Sequence, residues 1–489
     1  MDERPLSLNP LIDTSDPAVV DVGHLLYRSL LSLDATGYPT TDLASSYTVT
    51  PDGLTYTVTL ASGPEWSNGA PITAQDVLAT VQFALSPQAG DATLAAALKG
   101  AKVTVSGTVI TFKLATPRAS FAATLTELPI LPLGAMSPSD LRAVAKNPTV
   151  PLPTSGPYEV GSTALLSVVL QPNPHAPNRP NIKSYELRLF LTFKDATAAF
   201  AQGNVQAVLA TTPQELAALL AVKGAQAESI TTPDFVDMLF NEHVPGLTDS
   251  VVRHAIGVAV NRAAVVAGAL DGRSGVVQTG PFSEGLPWVE ARSIAAISPT
   301  VAETVLQGDG WAMGSDGVRH RGSTQLAFTL AVPSLNPLPV VATEVANQLD
   351  AIGVQVTIKT VAPESFLIGT LETGAFQLAI DAWSPAPDPD VRAFWRSTAT
   401  PPHGYNVSEA AADPFLDAAL DMLARSPGRS VRSAAAAQVT ALLADDAPAV
   451  FLYTPRVSFV FRSPMPTAPM PAIGDESARY NHISSWVLH

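Results

Sequence analysis

The 489-residue sequence predicts an α/β protein of two lobes, with an extra α+β subdomain in the first. Three observations carry this expectation. The chain exceeds the roughly 250–300 residues that one hydrophobic core organises, so at least two bodies are needed. From about residue 235 onward, apolar helices alternate with short strands under glycine punctuation, the rhythm of an α/β lobe. From about residue 46 to 154 strands predominate instead, and the proline-rich run NPTVPLPTSGPY closes that stretch.

In chain order, Leu8 to Leu33 is an irregular segment leading into a helical pattern with Val22, Leu25, Leu26, Ser29 and Leu30 on one face. Leu54, Tyr56, Val58 and Leu60 then alternate with Thr55, Thr57 and Thr59, the period of a strand with one buried face, opened by a Pro51-Asp52-Gly53 turn. Thr73 followed by Asp76 predicts a capping box for a helix carrying Val77, Val81 and Leu85. Val103–Val105 and Val109–Leu114 read as strands, and FKDATAAFAQGNVQAVLA as a helix followed by a strand. Phe235–Asn241 reads as a strand, with Thr248 capping the next helix, which bears Val252, Ile256 and Val260. Val341, Val345, Leu349 and Ile352 mark a further helix that Gly353 terminates, before the strand of Val354, Val356 and Ile358. Two alanine-rich helices between Asp413 and Leu443 precede APAVFLYTPRVSFVF, read as two strands.

Composition narrows the function classes. Hydrophobic residues make up 46% and charged residues 15%, enough apolar material for packed cores rather than disorder. The net charge of -15, with no basic stripe, repels a phosphate backbone, so a nucleic-acid role is set aside. Cysteine is absent, which removes disulfide and thiolate chemistry. No uninterrupted apolar run approaches the ~18 residues of a spanning helix. The chain opens without a basic-then-apolar leader, which fits either a cytoplasmic protein or a mature form beginning after a removed leader.

Catalytic motifs are missing. No serine has glycine at both minus two and plus two, no serine precedes a lysine by three, and no Gly-Lys dipeptide opens a phosphate loop. The eight histidines are scattered and form no HExxH, so neither a metal nor a cofactor is expected. The candidate site is GAFQLAIDAWSPAPDPDVRAFW, in which strand alternation points Asp381 and Trp383 the same way.

The wording of several stretches resembles family 5 of the extracytoplasmic solute-binding proteins, the peptide and nickel type that serve ABC importers. PDGLTYTVTL and EWSNGAPITAQDV carry the likeness, and SGPYEV, VRHAIGVAVNR, GDGW, ANQLDAIGVQVTI and DPD follow in family order. The resemblance implies a two-lobed periplasmic-binding-protein type II fold. Residues 1–45, 155–235 and 455–489 would form lobe I, 46–154 its subdomain, and 236–454 lobe II, with crossings near 236 and 454 as the hinge. It also implies a cleft reached by Asp13, Thr14 and Ser15, which are equally the residues that cap a helix, and by Trp383 at the end of its strand. Asp381, Trp66, Asn241, Asn336 and Tyr405 complete the candidate ligand-binding set, with His403 as an outlying nickel candidate. Peptide-binding members place an Asp three residues after that tryptophan, where this chain has Ala386, and an Arg where VPSLNPLP offers only Ser334 and Asn336. Zwitterionic dipeptides are therefore not the expected cargo.

The expected function is a non-enzymatic, extracytoplasmic receptor. It would deliver a small ligand, an oligopeptide or peptide-like solute, to ABC permease subunits by hinge closure. A monomer is expected, held at the membrane only through a lipid anchor. The rival is an envelope lipoprotein of the same fold with a regulatory or scaffolding role.

Overall fold

The computed structural model describes residues 7–12, 17–34, 37–283, 285–286, 288–289, 298–384, 388, 390–408, 413–462, 474, 476–480 and 483–486. Among these, eight strands form a central sheet. They are β1 (Ala207–Ala210), β2 (Ala225–Thr231), β3 (Phe235–Phe240), β4 (Gly275–Val277), β5 (Ala327–Pro333), β6 (Gln355–Val361), β7 (Leu378–Trp383) and β8 (Ala449–Arg462). The order is β1-β8-β3-β7-β5-β6, with β2 and β4 also paired to β8. β5 runs parallel to β6 and β7, whereas every pairing of β3 and β8 is antiparallel.

β8 is one 14-residue strand, not the two that the sequence predicts. β2 and β3 lie end to end along one of its edges, β2 opposite Arg456–Arg462 and β3 opposite Ala449–Tyr453. Pro455 has no N–H for a ladder, but it stands where β8 changes partner from β3 to β2, a place where a missing donor is tolerated. Its carbonyl accepts the Thr232 N–H at 3.1 Å, which ties the link between β2 and β3 to the middle of β8.

Besides the two-stranded pair of Leu31–Leu33 with Pro39–Thr41, the first body holds two larger antiparallel sheets. One has four strands in the order Ala44–Val49, Thr55–Leu60, Val109–Lys113, Lys102–Ser106. The other has three, Tyr158–Ala164, Ser167–Pro172 and Tyr185–Arg188. In Thr55–Leu60 the buried residues are Tyr56, Val58 and Leu60, as the period of two requires. One apolar core runs from Leu8 through Ile182 and is joined by Phe459, Phe461, Tyr480, Ile483 and Trp486, so the end of the chain returns to this body.

The second body is built on β3, β5, β7 and the first half of β8, with apolar layers on both faces. Val236, Met238 and Phe240 belong to one layer; Phe235 and Leu239 belong to the other. Every residue of β3 is buried. The helix Leu338–Asp350 precedes Gly353, whose φ of +82° allows the chain to turn into β6. At the helix Ser250–Ala259 the cap is Asp249, not Thr248: the helix begins one residue later than predicted, and Asp249 Oδ1 accepts the Val251 N–H at 3.0 Å.

The predicted capping box is present. Thr73 Oγ1 accepts the Asp76 N–H at 3.4 Å, and the Asp76 carboxylate accepts the Thr73 N–H at 2.8 Å. Asp76 also accepts the Gly134 N–H at 2.9 Å, so the same buried carboxylate pins a distant loop to the helix start. Asp76→Ala is expected to lower stability by about 2 kcal/mol, a lost cap plus an unpaired buried N–H, and Thr73→Ala by about 1 kcal/mol. Equilibrium unfolding of the two variants checks the ranking.

Candidate functional site

A cavity of about 770 Å³ lies between the two bodies. The first body contributes Leu11, Leu94 and Arg118; the link between β2 and β3 contributes Pro233 and Asp234. The second body contributes Ser384, Asp388, Asp390 and Arg392, all from the chain that follows β7. Because β7 ends beside the link that starts β3, the sheet delivers its last residues to the crossing point. A short connection thus places fixed charges opposite Arg118.

Those charges are held in pairs. Arg392 donates from Nε to Asp390 Oδ1 at 2.8 Å and from Nη2 to Oδ2 at 2.5 Å. The hydrogen bonds to Asp390 raise the pKa of Arg392 and lock its charge on. Arg118 donates to the carbonyl of Ala97. Burial pulls its pKa down and the Asp390 charge opposes that pull. Behind them Arg432 Nη1 donates to Asp388 Oδ2 at 2.7 Å, with the guanidinium 4.5 Å from the centre of the Trp288 ring. Burial works against the Arg432 charge, but Asp388 outweighs it and the pKa is raised. Among the described residues, no three His, Asp or Glu side chains converge as metal ligands. What the arrangement offers is binding and orientation by anchored charge of both signs.

The structure places most of the sequence-selected residues away from this cavity. Trp383 is 8% exposed, so the expectation of an indole open to a guest is corrected. Its Nε1 donates to Asp237 Oδ1 at 3.2 Å, and its ring packs 4.8 Å from Phe394 and 5.7 Å from Tyr405. The alternation argument fails because β7 has an apolar layer on each face, Leu378 and Ile380 in one and Ala379 and Trp383 in the other, and its exposed residue is Ala382, which points away from the face of Trp383. The next residue, Ser384, reaches the cavity instead. Trp66 is also a core residue, 3% exposed, in the first body.

Asn241 is a structural cap: Nδ2 donates to the carbonyls of Gly374 and Phe376 at 3.2 and 2.9 Å, and Oδ1 accepts the His243 N–H. Asn336 is exposed just before the helix Leu338–Asp350, outside the cavity wall. Tyr405 is exposed and stacks on Phe394. His403 is exposed in a turn, its N–H donating to the Thr400 carbonyl. Asp13, Thr14, Ser15 and Ala386 lie outside the described residues.

Asp381 stands directly across from Asp237 in the β3–β7 ladder. Burial raises Asp381 to about 7, against the hydrogen bond it accepts from the Ala382 N–H at 2.8 Å. Asp237 is fully buried, and burial followed by the Asp381 charge raises it well above the usual carboxylate range. Its Oδ2 has no partner among the described residues. Sequence reasoning missed Arg118, Asp390 and Arg392. The DPD tripeptide that carries Asp390 was a visible signal, while Arg118 is a lone charge in a loop that only the folded chain brings to the crossing.

The model for the middle region of the bacterial extracellular solute-binding proteins, family 5, matches residues 39–405. Protein XP55 of Streptomyces lividans is 29% identical over 411 residues, 83% of this chain and 74% of the relative. A dipeptide-binding protein of Lactococcus lactis is 25% identical over 419 residues, 76% of this chain and 72% of the relative. The crystal structure of CtaP, an ABC transporter substrate-binding protein of Listeria monocytogenes, superposes with a TM-score of 0.81 at 20% identity, over 99% of this chain and 97% of that one.

The facing carboxyls give a pH signature with a definite sign. A folded-state pKa of about 7 for Asp381 against about 3.9 unfolded means that the native state binds the extra proton between those values. Stability therefore falls as pH rises across that window. Asp381→Asn is expected to flatten the decline between pH 4 and 7 and to leave the variant more stable than the parent at pH 8. Unfolding midpoints measured across that range check it; an unchanged slope contradicts it.

Proposed function

The chain belongs to family 5 of the bacterial extracellular solute-binding proteins, and on that premise we propose that it captures a peptide or peptide-like solute outside the cytoplasm and hands it to an ABC importer. The observation that carries the reading is the cavity at the double crossing. Walls from both bodies meet there, and among the described residues the backbone passes from one to the other at the Thr232–Asp234 link and in the middle of β8. Two adjacent backbone crossings permit a rigid-body closure that buries a cargo. The relatives' names, among them the dipeptide-binding protein, favour delivery over a scaffolding role in the envelope.

In this reading the protein carries out no chemistry on its cargo. Arg392 and Asp390 present opposite charges side by side, and Arg118 faces them from the first body. Closure brings the three around polar groups of the cargo, with water filling the gaps left by variable side chains. The partners are the permease subunits, which would recognise the closed form. Attachment to the envelope is assigned to a lipid anchor, and the working form to a monomer. The charges around the cavity replace the missing amine and carboxylate clamps, so short zwitterionic peptides belong in the test alongside longer ones.

Calorimetry with di-, tri- and oligopeptides and with nickel complexes tests the proposal. Peptide binding between micromolar and nanomolar, equivalent to roughly 8 to 12 kcal/mol, is expected. Arg118→Ala is expected to weaken it about tenfold or more, ~1.4 kcal/mol, and to shrink the ligand-induced rise in unfolding temperature. Absence of binding by any peptide or complex overturns the reading.

A further inference from the structure

Asp237 and Asp381 stand two residues inside the last pairing of the β3–β7 ladder, Phe235 with Trp383. Beyond that pairing come Asp234 and Ser384, both in the cavity wall. Side chains directly opposite in an antiparallel pair lie about 4.5–5.5 Å apart at Cβ, close enough for two carboxyls to share a proton. Asp237 has an oxygen to carry it: Oδ1 accepts the Trp383 indole N–H, while Oδ2 has no partner among the described residues. Asp381 is half-buried, so the pair exchanges protons with water through it.

The surroundings of the pair are apolar. β8 sets Phe451 opposite Asp237, β5 contributes Ala331 to the same layer, and the helix Arg392–Trp395 contributes Phe394 and Trp395, with the titratable ring of Tyr405 beside them. The charges on the chain packed over this layer are paired with one another: Arg392 with Asp390 and Asp421, Arg396 and Arg425 with Asp421, and Arg432 with Asp388. The charge that acts on Asp237 is that of Asp381. Burial raises Asp381 to about 7 and Asp237 well above the usual carboxylate range, so the pair gives up a proton near neutral pH.

We propose that Asp237 and Asp381 are positioning residues for the cleft: the protonated pair holds Trp383 and, through its ring contact with Phe394, the short helix that carries Arg392, so cargo is bound more tightly at pH 6 than at pH 8. The proposal rests on the cleft being the ligand site. The route is continuous. The Trp383 ring lies 4.8 Å from that of Phe394, and Phe394 stands two residues after Arg392, which lines the cavity. A charge formed on Asp381 inside the apolar layer is relieved by moving toward water, and that pulls the end of β7 from β3 and shifts both Trp383 and Ser384. Because coupling between two binding events is reciprocal, cargo that prefers the protonated form takes up protons when it binds near neutral pH.

Two measurements on the full chain test it. Without ligand, the amides of Phe394, Trp395 and Arg396, which donate to the carbonyls of Val391 and Arg392, are expected to lose about tenfold in hydrogen-exchange protection between pH 6 and pH 8 after correction for the intrinsic rate, while the helix Leu338–Asp350 keeps its own. With alanine-glycine peptides of two to six residues as probes, calorimetry is expected to give about fivefold weaker binding at pH 8 than at pH 6, and buffers of different ionisation enthalpy are expected to reveal proton uptake on binding at pH 7. Asp381→Asn is expected to remove the exchange difference and the pH dependence of affinity that the peptides' own groups do not supply. Phe394→Ala, which cuts the ring contact, is expected to keep the parent's pH dependence of unfolding while affinity loses its own. Parallel affinity profiles for the parent and Asp381→Asn, or a Phe394→Ala profile that follows the parent, overturn the proposal while the receptor reading stands. Absence of binding across the series with pH-dependent exchange overturns the receptor reading and supports the positioning pair; absence of both overturns both.

Discussion

One strand makes this molecule a two-body device. β8 runs for 14 residues without interruption, its first half paired with β3 and β4 and its second half with β1 and β2. Backbone hydrogen bonds along both edges leave it little freedom to break between the halves. Any closure of the two bodies would therefore have to twist the chain around Thr454–Arg456 and the adjacent Thr232–Asp234 link. Polar side chains there are hydrogen-bonded: Thr454 donates to Gln278 Oε1 and lies 3.4 Å from Ser283 Oγ, the Thr232 hydroxyl donates to the Pro455 carbonyl at 3.3 Å, and Arg456 Nε donates to Thr231 Oγ1 at 3.3 Å. A polar cluster of that kind keeps the crossing ordered while lacking the interdigitated apolar bulk that resists rotation.

The same constraint explains where the charged groups sit. Residues after β7 emerge beside the link into β3, so Ser384, Asp388, Asp390 and Arg392 arrive at the crossing whatever their side chains. Buried ion pairs contribute little net stability because desolvation offsets their attraction, but breaking one is costly. The Arg432–Asp388 pair, buried against Trp288, is therefore better understood as fixing geometry behind the cleft than as holding the fold together. A similar pair, Arg479 with Asp21, joins the end of the chain to its first helix and closes the first body.

Asp237 and Asp381 show the opposite choice. Two carboxyls face each other across a ladder with one indole N–H and one backbone N–H as their described donors. The burial that raises both favours protonated forms, so an apolar layer accommodates them at the expense of stability at higher pH. The indole of Trp383 is locked by that arrangement, with Phe394 edge-on and Tyr405 tilted against it and those two rings stacked on each other.

The sequence by itself determined the fold class, the family and most individual elements. Alternation in Thr55–Leu60, the Thr73–Asp76 box and the Gly353 stop are set by contacts within a few residues, and local contacts are what a sequence displays. Only the tertiary structure decided which residues meet in the cleft. Trp383 and Asp381 were chosen on the premise that their face of the strand is the wet one, but Trp383 packs into an apolar layer drawn from distant parts of the chain, and the exposed residue of β7 is Ala382 on the other face. Arg118, Asp390 and Arg392 gain their meaning from segments as far apart as residues 118 and 392 brought to one crossing, and no local pattern encodes that distance.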